Sequence, residues 1–156
     1  MKFKNIAVAT LALGLSTATL AQSIGKPEDQ IRWRQSGMQT LGWSMGRIKA
    51  NIDGTYNKDQ VVQAANVIQA MANSGSGILF QPGTDTGKGW RDTNVKPEYF
   101  TNAAKLKEVG MAYNKEANEM AKVAASGDVA AVKAQFGNLG KSCKGCHDEF
   151  RKEEKK

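Results

Sequence analysis

The stretch Cys143-Lys144-Gly145-Cys146-His147, close to the C-terminal end of the 156-residue chain, decides how the rest is interpreted. Two cysteines three positions apart, followed at once by histidine, form the pattern to which a c-type haem is attached. On a helix, side chains at this spacing lie on one face, about 5–6 Å apart, so each thiol can bond one vinyl group of a porphyrin. His147 then lies one turn after Cys143, where its imidazole can reach the iron. We therefore predict one covalent haem c per chain, bound through Cys143 and Cys146, with His147 as the axial ligand.

Other uses of these three residues have less support. A thioredoxin-like dithiol needs a preceding strand and a βαβ context, and no segment has a strand pattern. A zinc site needs four ligands, whereas the whole chain contains two cysteines and one histidine. A disulfide between Cys143 and Cys146 is sterically possible but gives no role to His147. The remaining alternative for His147 is an ordinary surface position on a helix.

The single histidine also restricts the second axial position of the iron. A bis-histidine haem within one chain is excluded, because His147 has no second histidine as a partner. The other face of the iron then carries methionine, lysine, an external ligand or nothing. Strong ligands on both faces favour electron transfer, whereas an open face permits binding of small molecules. No distal histidine is available as the general base of peroxidase chemistry, so we do not expect an enzyme.

The first 21 residues predict a cleaved secretory signal. Lys2 and Lys4 precede an uncharged apolar stretch that is too short to span a bilayer comfortably, and small residues end it at Thr19-Leu20-Ala21. An uncleaved membrane anchor is the alternative. We expect a periplasmic protein with residues 1–21 as the signal and residues 22–156 as one domain, without membrane insertion of the mature chain.

The charge of the chain says little about its partners. Lysine and arginine number 22 against 15 acidic residues, for a formal net charge of +7. The charges are mixed along the sequence, and no basic stripe alternates with aromatic residues, so nucleic acid is not an expected partner. A solvated surface that modestly favours anionic partners explains the basic excess.

Four amphipathic segments predict helices, and these favour an all-α, antiparallel four-helix bundle with the haem in its core. The first helix begins near Pro27 and ends at Asp53-Gly54, and the second begins near Asn57 as its N-cap and ends after Asn73. The third runs from about Pro97 to Ser126, and the fourth follows Gly127-Asp128. The predicted inner stripe of the first helix comprises Ile31, Met38, Leu41, Met45 and Ile48, and that of the fourth comprises Val132, Phe136, Leu139, Cys143, Cys146 and Phe150.

A long glycine-rich segment, Gly75–Lys96, separates the second and third helices. Long segments of this kind inside compact domains are usually functional or disordered. Ile78, Phe80 and Trp90 indicate that this one packs against the rest of the protein. We expect an ordered loop that covers a ligand.

Three separate segments of the chain resemble the cytochrome c′ family of class II cytochromes c. Lys26-Pro27-Glu28-Asp29 followed by Arg34-Gln35 is similar to the family's N-terminal helix, and Pro82-Gly83-Thr84-Asp85 to its haem-covering loop. Cys143 to Arg151 is similar to its attachment helix. The haem motif alone is not specific to a family, but its C-terminal position together with the other two segments is, and the resemblance covers the mature chain.

The resemblance implies roles for residues outside the haem motif. Arg34 and Gln35 lie at the haem edge, where the planar fork of Arg34 pairs with a propionate. Thr84 and Asp85 contact the haem from the loop, and Asp85 replaces a glutamate that is frequent in the family. Arg151 corresponds to the basic residue beside the proximal imidazole. Ordinary solvated charges are the alternative for the two arginines.

Met38 falls where the family places the distal residue over the iron, and two hypotheses depend on it. In the first, the iron is five-coordinate, and the protein binds small uncharged gases such as NO or CO, or transfers electrons, while Met38 limits access. In the second, His147 and Met38 both ligate the iron of a low-spin electron carrier. From the residues alone, Met38 is better interpreted as part of the core stripe, since methionine commonly fills gaps in apolar cores.

The resemblance also implies a homodimer formed through the first two helices. Trp33, Trp43 and Tyr56 are candidates for such a face, with packing inside the bundle as the alternative. A redox partner is expected, but the sequence does not identify it.

Overall fold

The computed structural model of the chain describes residues 25–153, and the predicted signal, residues 1–21, lies outside the described residues. Two isolated β-bridges and no strand occur in this range. The prediction of an all-α four-helix bundle is confirmed. Its four long helices are α1 (Pro27–Asp53), α2 (Lys58–Asn73), α4 (Ala103–Ser126) and α5 (Val129–Phe150), and α3 (Glu98–Thr101) is a single turn.

The ends of the long helices follow from local sequence signals. Pro27 is the first residue of α1. The side chain of Asn57 accepts a hydrogen bond from the backbone N–H of Gln60 at 3.1 Å, which caps α2 as predicted. Asp128 caps α5 by accepting from two backbone N–H groups, and Gly127 before it has a φ of 78°, a left-handed conformation that favours glycine.

The predicted continuous third helix, Pro97 to Ser126, is wrong in its first turns. The chain leaves helical geometry at Asn102, where ψ is 67°, and this residue separates α3 from α4. The Asn102 side chain accepts a hydrogen bond from the backbone N–H of Lys105 at 3.1 Å. Asparagine bonds nearby backbone in this way and so favours a cap over a helix interior.

The core is formed where all four long helices meet, and small side chains on α2 and α4 let these helices approach closely. Fully buried core residues are Ile48, Val61, Ala64, Ala65, Ala117, Met120, Ala124, Val132 and Leu139. Helix α1 packs extensively on α2, α2 on α4, and α4 on α5, whereas α1 and α5 have little direct contact.

The predicted inner stripe of α1 is wrong at one position. Ile31 and Ile48 are buried, and Leu41 and Met45 are partly buried, but the side chain of Met38 is 46% exposed. The helix therefore turns Met38 away from the apolar core. The stripe predicted for α5 is confirmed, with Val132, Leu139 and Phe150 buried.

None of the helices among residues 25–153 has the length and apolar character needed to cross a bilayer.

Candidate haem site

The last two turns of α5 carry the three residues of the predicted attachment motif. Cys143 and Cys146 are both free thiols and partly buried, and Cys143 packs against the hydrophobic core. Burial raises the pKa of both thiols above the ordinary value. Two unpaired thiols three positions apart on one helix provide the arrangement that two thioether bonds to a porphyrin require.

His147 directly follows these thiols and is also partly buried. Burial, assisted by the Arg151 cation, holds the pKa of His147 below its ordinary value, while Asp148 opposes the shift. A neutral imidazole offers a free nitrogen lone pair to a metal. His147 lines an open cavity of about 360 Å³ together with Lys96, Asp148, Arg151, Lys152 and Glu153.

Aromatic rings form a wall beside Cys146. Tyr99 stacks on Phe80 with 4.3 Å between ring centroids, and its edge meets Phe150 at 5.5 Å. Burial, reinforced by the neighbouring Cys146, raises the pKa of Tyr99 to about 12. The Arg34 guanidinium lies over Phe80, with 5.0 Å from its carbon to the ring centroid. This wall, Phe80–Tyr99–Phe150, extends from Arg34 on α1 to Cys146 on α5 and offers an apolar, aromatic surface to a porphyrin.

Tyr113 lies beside the other cysteine. Its hydroxyl donates to the backbone oxygen of Ile68 at 3.4 Å, and burial followed by the effect of Cys143 raises its pKa to about 12. Tyr113 lies four residues from the buried Val109 and four from the buried Ala117, on the inner face of α4. Tyr99 lies in the single turn of α3 and was not predicted as a site residue.

Arg34 is a buried cation held by the loop. Its guanidinium donates to Thr84 Oγ1 at 2.6 Å, to the backbone oxygen of Thr84, to Thr93 Oγ1 at 2.6 Å and to the backbone oxygen of Leu79 at 3.5 Å. Burial lowers the pKa of Arg34 below its ordinary value, and the neighbouring Tyr99 and Asp85 partly oppose this shift.

The charge of Arg34 is compensated by neutral oxygens. Among residues 25–153, no ion pair includes Arg34, although its exposed fraction is 5%. Burying a cation without a counter-ion is costly, and an anionic group beside the guanidinium offsets that cost. Both terminal nitrogens of Arg34 are engaged by loop oxygens, so what Arg34 offers a carboxylate of a bound cofactor is its uncompensated positive charge.

Gln35, the next residue along α1, holds a second part of the same loop. Its amide nitrogen donates to the backbone oxygen of Arg91 at 2.9 Å, and its amide oxygen accepts from the backbone N–H of Trp90 at 2.8 Å. Consecutive residues of α1 thus anchor the loop at separate points. The loop packs against α1 as predicted, but Ile78 and Trp90, two of the three residues on which that prediction rested, are exposed.

The structure brings most of the predicted site residues into one region. Arg34, Gln35 and Thr84 meet at the loop, and Met38 lies one helical turn after Arg34 on the same face of α1. Asp85 joins the region through its backbone oxygen, which accepts from Lys152 Nζ at 3.0 Å. Arg151 is exposed and lines the same cavity as His147, and its backbone N–H donates to the His147 backbone oxygen at 3.0 Å.

Besides Tyr99, three further residues of the site were not expected from the sequence. Thr93 accepts from Arg34, and the ammonium groups of Lys96 and Lys152 donate to the backbone oxygens of Asp148 and Asp85. A threonine in an irregular loop and lysines in a mixed-charge chain give no local signal. Their partners are far away in sequence, so their roles follow from the fold.

The family model for cytochrome C′ matches residues 29–151 of the chain. The chain belongs to the cytochrome c′ family. Cytochrome c′ of Rhodocyclus tenuis is 62% identical over 130 residues, which cover 83% of this chain and 98% of the relative. A solved cytochrome c′ with ligand-controlled dimer dissociation is 48% identical, covers 83% of this chain and 98% of its own, and gives a TM-score of 0.80.

A more distant solved relative carries a bound gas. It is a ferrous variant of cytochrome c prime from Alcaligenes xylosoxidans with bound NO, 28% identical, with a TM-score of 0.74 and coverage of 84% of this chain and 99% of its own. Cytochromes c′ are c-type haem proteins, and Cys143 and Cys146 are consistent with covalent attachment of haem c. The free thiols, the aromatic wall and the buried Arg34 all fit that group.

Proposed function

We propose that this chain is a periplasmic cytochrome c′ with one haem c, held covalently by Cys143 and Cys146, with His147 as axial ligand. We further propose a five-coordinate iron that binds small gases such as NO and CO or transfers electrons, without enzymatic turnover. The observation that carries the proposal is the juxtaposition of free thiols and a partly buried histidine on α5 with an aromatic wall that ends at a buried arginine.

The residues of the chain divide the work of holding and shielding the cofactor. His147 offers a neutral imidazole nitrogen from the same turn as Cys146, so attachment delivers the axial ligand by geometry. Arg34 supplies a buried positive charge for a propionate. Phe80 and Tyr99 exclude water from one edge of the site. When bound, the haem supplies an iron that exchanges electrons and takes small ligands.

The sequence supports an open distal face, because it contains no second histidine to occupy that position. The NO complex of the Alcaligenes relative shows that a protein of this family binds such a gas. The presence of methionine at position 38 favours the second candidate function, a low-spin electron carrier, because its flexible thioether can ligate the iron directly.

The absorption spectrum of the ferrous protein separates the two candidates. A five-coordinate iron is expected to give the broad visible band of a high-spin haem, and CO is expected to convert it to a split low-spin pattern. A split pattern before any ligand is added would sink the five-coordinate proposal and favour ligation by Met38.

Replacing Met38 with alanine tests its role independently of the spectrum. If Met38 crowds or occupies the distal position, CO affinity is expected to rise about tenfold, equivalent to roughly 1.4 kcal/mol. Met111→Ala is the matched control, because Met111 is 62% exposed on α4. An unchanged CO affinity in Met38→Ala, measured by CO titration, would show that Met38 neither coordinates nor blocks the iron.

We also propose a homodimer formed through α1 and α2. The solved relative with ligand-controlled dimer dissociation supports it, as do two exposed tryptophans on α1, Trp33 and Trp43. Tyr56 does not support it, because its ring packs against the core and its hydroxyl is buried.

A further inference from the structure

The segment Thr93–Lys96 is hydrogen-bonded to α1 at its first residue. Arg34 of α1 donates to Thr93 Oγ1 at 2.6 Å, and Thr93 Oγ1 donates to the backbone oxygen of Thr84 at 3.2 Å. Thr93 therefore completes the shell of neutral oxygens around the buried guanidinium. Met38 lies one turn further along the same helix, so this end of the segment is tied to the distal side of the site.

The other end of the segment is hydrogen-bonded to the end of α5. Lys96 N–H donates to the backbone oxygen of Phe150 at 2.9 Å, and Lys152 N–H donates to that of Asn94 at 2.7 Å. Val95 and Arg151 pair between these two bonds as an antiparallel bridge. The paired residues begin three positions after His147, so this end is tied to the proximal side.

Two lysine side chains reinforce the proximal attachment. Lys96 Nζ donates to the backbone oxygen of Asp148 at 2.9 Å, directly after His147 in the chain. Lys152 Nζ donates to the backbone oxygen of Asp85 at 3.0 Å, beside the Thr84 that Arg34 holds. Charge-assisted bonds of this kind are stronger than neutral ones. Val95, between the attachments, is 8% exposed.

These hydrogen bonds matter because one pair of neighbouring helices in the bundle packs weakly. Helices α1 and α5 have little direct contact, although they carry Met38 and His147. The other neighbouring helix pairs are fixed by extensive side-chain packing. The polar bonds made by residues 93–96 therefore give α1 and the end of α5 a direct link that the packing between these two helices does not supply.

We propose that Thr93–Lys96 is a positioning strap that fixes the end of α5 relative to α1 and thereby sets the affinity of the distal side of the iron. This inference rests on the proposed function, since it assumes that His147 and Met38 face opposite sides of one haem. Loosening the strap changes the separation of the two helices and hence the space over the iron. The strap acts through the residues that it holds, Arg34 on α1 and Asp148 on α5, so Thr93 and Lys96 are positioning residues.

The test compares Thr93→Val with Thr86→Val in the full haem-loaded protein. Valine keeps the shape of threonine but removes the oxygen that Arg34 and Thr84 share. Thr86 is exposed in the same loop and makes no hydrogen bond within the described part of the chain. The measurements are amide hydrogen exchange at Lys96 and Lys152, CO affinity and the thermal unfolding midpoint.

In Thr93→Val, the Lys96 and Lys152 amides are expected to exchange about tenfold faster, and CO affinity to change at least about threefold. Thr86→Val is expected to change neither. Unchanged exchange in Thr93→Val would overturn the strap, and faster exchange with unchanged CO affinity would overturn its coupling to the iron. A change of equal size in Thr86→Val would also overturn it.

A second pair of variants guards against poor folding of Thr93→Val. Lys96→Met removes the bond to Asp148 and keeps the backbone bond to Phe150, and Lys88→Met in the same loop is its control. Faster exchange of the Lys152 amide and altered CO affinity are expected for Lys96→Met and not for Lys88→Met.

If the iron of the wild type is instead ligated by Met38, the five-coordinate proposal fails but the strap can still be tested. The strap then predicts a weaker methionine-to-iron charge-transfer band in both strap variants, and an unchanged band refutes it.

Discussion

At the scale of single residues, Gly89 determines how closely the loop approaches α1. A Cβ added at Gly89 would lie 2.7 Å from Gln35 Oε1, 2.8 Å from the backbone nitrogen of Arg32 and 2.8 Å from Ile31 Cγ2. The backbone atom of a long helix cannot move aside at low cost. The lack of a side chain at Gly89 therefore lets Gln35 form hydrogen bonds with the backbone of Trp90 and Arg91, the two residues after Gly89.

Gly89→Ala is expected to lower the free energy of unfolding by about 1–3 kcal/mol, the usual cost of forcing an extra carbon into a packed site. Gly77→Ala is the control, because no atom lies within 4 Å of the position of its added Cβ. Denaturant unfolding of both variants measures the difference. Equal losses in the two variants would contradict the steric argument.

At the scale of helices, the sequence predicts what local signals encode. Asn57, Gly127 and Asp128 mark helix ends by chemistry confined to three or four neighbouring residues, and these boundaries are confirmed. The break at Asn102 was not predicted, because the apolar period of α4 extends towards Pro97 and a cap competes with it. The position of Met38 was not predicted from periodicity either, since a repeat of apolar residues does not show which one faces a cofactor.

The candidate site likewise contains residues that a local sequence pattern predicts and residues that only the fold brings together. Cys143, Cys146 and His147 are adjacent in the chain, so their pattern alone predicts their chemistry. The bond from Arg34 to Thr93 spans 59 positions, and that from Lys152 to Asp85 spans 67. No local pattern encodes contacts of that range. They arise because α1, the loop and the end of α5 are brought together by the bundle.

Asn102→Ala tests the cap that separates α3 from α4. Removing a side-chain acceptor at a helix N-terminus is expected to cost about 1 kcal/mol of the free energy of unfolding. Asn66→Ala is the matched control, because Asn66 is exposed in the interior of α2, where alanine is the better helix former. Urea unfolding distinguishes the two. A stabilised Asn102→Ala would mean that α3 and α4 gain more from fusing than from the cap.

At the scale of the whole molecule, the outward surface of α1 and α2 is the candidate for self-association. Trp43 is 59% exposed and lies under the Arg47 guanidinium, 4.9 Å from its carbon to the ring centroid. Arg47 in turn donates to Gln63 of α2 at 3.3 Å. Trp43 thus lies at the seam between the two helices, and tryptophan with arginine is a combination typical of interface hot spots.

Trp43→Glu is therefore expected to convert the proposed dimer to a monomer, because it replaces an aromatic anchor at the centre of the interface with a hydrated carboxylate. Met111→Glu is the control, since Met111 is 62% exposed but lies on α4, outside the proposed interface. Sedimentation equilibrium at micromolar concentration measures the mass of each variant. A monomeric wild type, or equal dissociation in Met111→Glu, would contradict the assignment. Repeating the measurement under CO then asks whether gas binding and assembly are linked, since a shift in the dimer equilibrium with CO requires different CO affinities in monomer and dimer.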